Sequence, residues 1–164
     1  MRQMLLALAV SLAVPAQAAG APPPAGKPEL YAIGLAPSPA RIEADIRKLV
    51  SFGTRHTLSS QTDPKRGVGA ATRWIHAEFE RISRDCGGCL EVQYVTGTVK
   101  GEPRIPGPVE VVSVIAIQRG SADPNRYVIM SGDIDSRVTD VMNATADSPG
   151  ANDNASGVAG TLEA

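Results

Sequence analysis

The chain has 164 residues, a length that fits one domain, and 43% of them are hydrophobic. Aromatic residues make up only 4%, so a core has to be built from Val, Ile, Leu and Ala. Sixteen Lys and Arg against seventeen Asp and Glu leave a formal net charge of -1, which excludes the basic footprint of a nucleic-acid or polyanion binder.

Residues 1–18 have the pattern of a secretion signal. Arg2 supplies the positive start, and Met4 to Val14 is an apolar run too short to span a bilayer comfortably. Pro15 breaks that run, and Ala16-Gln17-Ala18 forms an A-x-A cleavage signature, so the mature chain is expected to start at Ala19. A short membrane anchor is the other reading, but no second apolar run follows. The expected location is periplasmic or secreted, without a membrane partner once the signal is removed. Residues 19–37, with Pro22-Pro23-Pro24 and Pro28, read as an extended Pro/Ala-rich leader.

The folded part is expected over 38–164. Ser38 reads as an N-cap with Pro39 in the first helical position. Ile42, Ile46, Leu49 and Val50 then form one apolar stripe, so 39–51 is an amphipathic helix. A polar loop from Ser51 to Arg66 holds Phe52-Gly53-Thr54-Arg55-His56-Thr57. In the second helix Val68, Ala71, Ile75, Phe79 and Ile82 recur at spacings of three and four. Its Gly67-Val68-Gly69 start lacks a preceding strand and a third glycine, and it reads as a helix entry rather than a phosphate loop.

Cys86-Gly87-Gly88-Cys89 contains the only two cysteines. In an exported chain such a pair is expected to close a local disulfide. So small a loop stabilises by on the order of 1–2 kcal/mol, below the usual range for longer loops. A redox pair would place its first cysteine at a helix N-terminus, where the thiol pKa falls, whereas this pair follows a helix and precedes a strand.

After the glycines the period changes to two, and Leu90, Val92, Tyr94 and Thr96 define one face of a half-buried strand. A Pro/Gly loop over 100–108 leads to Val109–Ile117, a β-branched run expected to be a buried strand. After a turn over 120–126, Arg126 to Met130 is expected to be another buried strand, ending at Ser131-Gly132-Asp133-Ile134-Asp135-Ser136. A last helix is expected from Asn154 and stops at Ala164. Buried strands beside helices give an α/β sandwich class, with a sheet expected to be incomplete.

Carboxylates at the end of an apolar strand, facing a carboxylate in a Gly-rich turn that opens a helix, suit a zinc or hard-cation site. Two segments, Gly132-Asp133-Ile134-Asp135-Ser136 and Pro149-Gly150-Ala151-Asn152-Asp153-Asn154-Ala155-Ser156-Gly157-Val158-Ala159, resemble the secreted di-zinc exopeptidases. That family includes bacterial zinc aminopeptidases, carboxypeptidase Q and glutaminyl cyclases. Residues 52–57 and the helix around Trp74 are also similar to the family's N-terminal elements, so the resemblance runs from about Ala40 to the end. It implies a three-layer αβα sandwich with a mixed sheet, of which this chain is the N-terminal part, truncated at the C-terminus. It also implies two zinc ions and a peptide substrate.

By the same resemblance, Asp153 matches the ligand that bridges both metals. Such a carboxylate offers one oxygen to each ion, about 3.5–4 Å apart. Asp133 matches the first-zinc ligand, which is usually histidine in the family. Asp135 matches the aspartate that holds that histidine, a role that requires an imidazole N–H. With aspartate at 133, either Asp133 ligates directly, giving a harder site that takes Mn or Co as well as Zn, or the first metal is weak. The family's catalytic glutamate, the next glutamate ligand, a further acidic ligand and a last histidine match nothing here. Glu163 follows Asp153 too closely to be either glutamate. His76 reads as structural, His56 either lines the cleft or is structural, and Arg137 and Asp140 either border the cleft or form surface pairs.

The implied activity is aminopeptidase-like hydrolysis of N-terminal peptide bonds, with this chain a fragment lacking the general base. The alternatives are a glutaminyl cyclase-like acyltransferase and a non-catalytic peptidase-like module.

Overall fold

The computed structural model describes residues 27–164. The signal peptide over 1–18, and the leader as far as residue 26, lie outside the described residues. None of the described helices is long and apolar enough to cross a membrane. Contacts divide the chain after Ala36. Before that point, Pro28–Leu35 is a helix, α1, rather than extended leader. Pro28 opens it with a pre-set φ and Glu29 favours its first turn, yet none of its residues is buried.

The second unit, Pro37–Ala164, holds α2 (Pro39–Val50), α3 (Val68–Asp85), β1 (Leu90–Val99), β2 (Val109–Gln118) and α4 (Ser156–Glu163). α2 begins as its residues dictate: Pro39 occupies the first turn, and the Ser38 side chain accepts from the Arg41 N–H at 3.4 Å. α3 begins at the glycine pair, where the Val68 N–H donates to Ser59 Oγ and the Gly69 N–H to the Ser60 carbonyl. Two first-turn donors that a phosphate would need are therefore occupied, in keeping with a plain helix entry. A Cys86–Cys89 disulfide closes the turn between α3 and β1. Ser83 bridges the same ends, since its Oγ contacts both the carbonyl and the N–H of Leu90.

β1 and β2 form a two-stranded antiparallel hairpin in register from Leu90 opposite Gln118 to Val99 opposite Val109. α3 packs on it, and His76 of α3 stacks on Tyr94 with ring centroids 4.1 Å apart. Near Glu80 as well, His76 is structural. Val109–Ile117, expected to be buried, is only half-buried within β2. The core lies among the helices, where Leu49 and Phe52 meet Ala70, Ala71 and Ile75 of α3 and Val158 and Leu162 of α4.

The expected strand over Arg126–Met130 is absent. This stretch pairs with no strand, and Tyr127, Val128 and Ile129 are 76%, 90% and 86% exposed. A strand needs a neighbour to take its N–H and C=O groups, and burying an apolar one needs cover on both faces; among the described residues nothing provides either. The described elements are thus α/β, with one layer of helix on a hairpin.

Glu163, at the end of α4, ties that helix back to the start of α2. It accepts from the Ser38 N–H and from Arg41 Nε (2.8 Å), and it also pairs with Arg41 Nη2. The Arg41 hydrogen bond holds the Glu163 carboxyl below the ordinary glutamate value. A lowered folded value means that the pairing stabilises the fold above the ordinary glutamate range, and that this contribution is lost as pH falls through the lowered value. Thermal unfolding followed from about pH 6 down to pH 3 is expected to show a steeper acid loss for the wild type than for Glu163→Gln. Parallel profiles would remove Glu163 as the cause.

Candidate metal centre

The two carboxylate-bearing segments meet through backbone. Gly132 lies so close to the start of α4 that a Cβ there would stand 2.4 Å from both Gly157 C and Val158 N. Only glycine permits that approach. Asp133 is the next residue on one side of the contact, and Asp153 lies four residues before Gly157 on the other. Asp133, Asp135 and Asp153 are all exposed.

Asp153 sits in a kinked turn over Ala151–Ala155 that is not regular helix, with φ -118° and ψ 95° at Asp153 itself; the Asp153–Asn154 peptide is cis. Gly150 opens the turn at φ 47°, and its carbonyl accepts from the Ala155 N–H at 3.0 Å. A Cβ on Gly150 would lie 2.6 Å from Asp153 O and Ser136 Cβ, so the position requires glycine.

Beneath these segments is a buried polar layer. The Ser136 hydroxyl donates to the Ser148 carbonyl (2.7 Å) and accepts from the Arg55 N–H (3.1 Å) and the Ser148 hydroxyl (2.9 Å). The Ser148 N–H donates to the Gly53 carbonyl at 2.7 Å. At the centre is Arg55, 1% exposed. Its Nε donates to the Ile134 carbonyl (2.8 Å), Nη1 to those of Leu49 (3.0 Å) and Pro149 (2.9 Å), and Nη2 to that of Gly150 (3.0 Å). Burial pushes the Arg55 pKa down, while the Asp135 carboxylate pushes it up. A buried cation is tolerated only when its donors are satisfied, and here carbonyls do most of that.

His56 is buried, in keeping with the structural reading. Its Nδ1 accepts from the Leu58 N–H at 3.0 Å, so the proton resides on Nε2, which donates to the Val141 carbonyl at 3.0 Å. Nδ1 thus closes a turn within its own loop, and Nε2 joins that loop to the one around Val141. Arg66 joins the same loops through Asp147 at 2.7 Å and the Thr145 carbonyl at 2.8 Å. Asp140 closes a turn by accepting from the Met142 N–H, and Arg137 is exposed. Asp135 has no imidazole beside it; the Thr57 hydroxyl reaches its Oδ2 at 3.5 Å, at the margin of a hydrogen bond. A pocket of about 110 Å³ opens beside Asp135, lined also by Thr57, Gln61, Thr72 and Ile134.

Exposed carboxylates on two touching segments suit zinc or a harder divalent ion as part of a ligand set. They are not a whole one: zinc takes four ligands, and among the described residues no group of three or more His, Cys, Asp or Glu is arranged to hold a metal. Sequence reasoning passed over Arg55, Ser136 and Ser148. Their partners come from loops far apart in the chain, and no local spacing marks them.

The family model described as Peptidase family M28 matches residues 113–164, the part that carries all three aspartates. A protein of Pyricularia oryzae named "Probable zinc metalloprotease" is 56% identical over 126 residues, which is 76% of this chain and 25% of that protein. A "Probable zinc metalloprotease" of Leptosphaeria maculans is 49% identical over 140 residues, 85% of this chain and 32% of that protein. One from Pyrenophora teres f. teres is 48% identical over 126 residues, 77% of this chain and 26% of that protein. The chain therefore spans only 25–32% of the length of these relatives. No solved structure matches it significantly. The family match over the aspartate segments and the near-half identity to proteins named as zinc metalloproteases together show that this chain belongs to peptidase family M28.

Proposed function

We propose that this chain supplies part of the metal centre of a zinc-dependent exopeptidase of aminopeptidase type, acting on the N-terminal bond of peptides outside the cytoplasm. The observation that carries the reading is the approach of Gly132 to Gly157 and Val158, which sets the Asp133 segment against the helix that the Asp153 turn opens. Asp153 would bridge two ions and Asp133 would ligate one of them. Zinc when bound polarises a scissile carbonyl and lowers the pKa of a water; a site richer in carboxylate would also admit Mn or Co. Asp135 would have no imidazole to hold, and its carboxylate lies beside the Thr57 hydroxyl. The sheet would be completed as a three-layer sandwich by further strands of the parent protein. Residues 1–18 would direct export.

No residue of this chain matches the family's general-base glutamate, so the chain as given is expected to be inactive. Purified chain with added zinc is expected to leave aminoacyl-nitroanilides unhydrolysed while binding zinc by calorimetry, and Asp153→Asn is expected to abolish that binding. Robust turnover that Asp153→Asn removes would overturn the first expectation. Zinc binding unchanged in that variant would overturn the metal assignment. A second reading, a non-catalytic peptidase-like module, is favoured by one observation: among the described residues no three candidate ligands converge. A wild-type chain that binds no zinc would support it.

A further inference from the structure

Arg55 is buried where the two aspartate segments and the end of α2 come together. Its guanidinium donates to a carbonyl in the Asp133–Asp135 segment (Ile134), to two carbonyls at the entry of the Asp153 turn (Pro149 and Gly150), and to Leu49. Its own main chain adds two more ties to the first segment: the Arg55 N–H donates to Ser136 Oγ, and the Ser136 N–H donates to the Arg55 carbonyl. We propose that Arg55 is the positioning residue of the metal centre, a cross-link that sets the separation of the Asp133 and Asp153 segments. The assignment rests on the zinc reading above for its purpose, though not for its geometry.

The side chain suits this task. A guanidinium presents five N–H donors in a rigid planar fork, and four separate carbonyls from three segments use that fork here. A carboxylate partner would have drawn the donors to one side; distributing them over carbonyls makes the charge serve several backbones at once. A lysine ammonium has three donors on a flexible stem and cannot reach all four acceptors in one geometry. Groups that orient metal ligands from behind typically change metal affinity by about 10–100-fold when altered.

The test uses the full chain in three forms: wild type, Arg55→Lys and Arg55→Met. Amide hydrogen exchange is measured over 131–137, 148–155 and α3, and zinc affinity is measured on the same samples. In Arg55→Lys, exchange of the two aspartate segments is expected to rise together by about tenfold, with α3 unchanged and zinc affinity lower by at least about tenfold. Arg55→Met is expected to exceed it in both. A rise confined to one segment, or a rise in α3 of the same size, would overturn the proposal, because a merely structural arginine would loosen the fold generally.

If both variants fail to fold, the wild type decides alone. The Arg55 Nε–H resonance is expected to be protected from solvent exchange. Exchange as fast as that of surface arginines would sink the idea. Failure of the wild-type chain to bind zinc would refute the metal reading, and the exchange results would then still decide whether Arg55 couples the two segments.

Discussion

Leu49→Ala is expected to lower the free energy of unfolding by about 3 kcal/mol, within the range for a fully buried leucine cut to alanine. Leu49 is 0% exposed and, with Arg55, is among the largest fully buried side chains of the described residues. It stands at the end of α2 in the cluster that joins α2 to α3 and α4, beside Phe52, Ala71, Ile75 and Val158. Its carbonyl also receives Arg55 Nη1, so collapse of the backbone into the cavity would pull on that cross-link. The cavity should therefore stay largely open, which holds the cost well above that of a site able to relax. The measurement is the urea midpoint, with Val128→Ala as the contrast. Val128 is 90% exposed, and its truncation is expected to change stability by no more than about 0.5 kcal/mol. Equal losses in the two variants would mean that residues 127–130 are buried after all.

The helices and the hairpin were legible because their causes are local. Ser38 and Pro39 mark the start of α2, the stripe from Val68 to Ile82 spans α3, and the change to a period of two after Gly88 announces β1. The run at Tyr127–Met130 was misleading for a physical reason. An apolar β-branched stretch states that it needs burial, not where its hydrogen-bonding neighbours are, and among the described residues no strand lies beside it. α1 was hidden by the prolines around it, although Pro28 in a first helical turn is a start signal rather than a break.

The site was legible in its residue types and not in its support. Asp133, Asp135 and Asp153 sit in short segments whose glycines and carboxylates are visible in the chain itself. What holds those segments is a set of hydrogen bonds from Arg55, Ser136 and Ser148 to partners six to ninety-five residues away, which no spacing encodes. The sequence left His56 open between a cleft residue and a structural one for the same reason: its two partners, one near and one far, had to be seen together.

Gly132→Ala is expected to damage stability and the metal centre together. The new Cβ would meet Gly157 C and Val158 N at 2.4 Å, and Gly157 O at 2.7 Å. All three are backbone atoms at the start of α4, so no side chain can swing aside. The Asp133 segment must retreat, or α4 must shift against a core that includes Val158 and Leu162. Overpacking of this kind costs about 1–3 kcal/mol and occasionally more, and Gly132→Ala is expected at the upper end. Retreat also separates Asp133 from the Asp153 turn, so zinc affinity should fall in the same variant. Gly160 is the control, because it lies inside α4 and nothing stands within 4 Å of its would-be Cβ. Gly160→Ala should stabilise by roughly 0.5–1 kcal/mol through helix propensity and leave zinc binding unchanged. Urea midpoints and zinc titrations on the two variants decide the matter. If Gly132→Ala unfolds and binds as the wild type does, the two aspartate segments do not touch, and the metal centre loses the contact on which it is built.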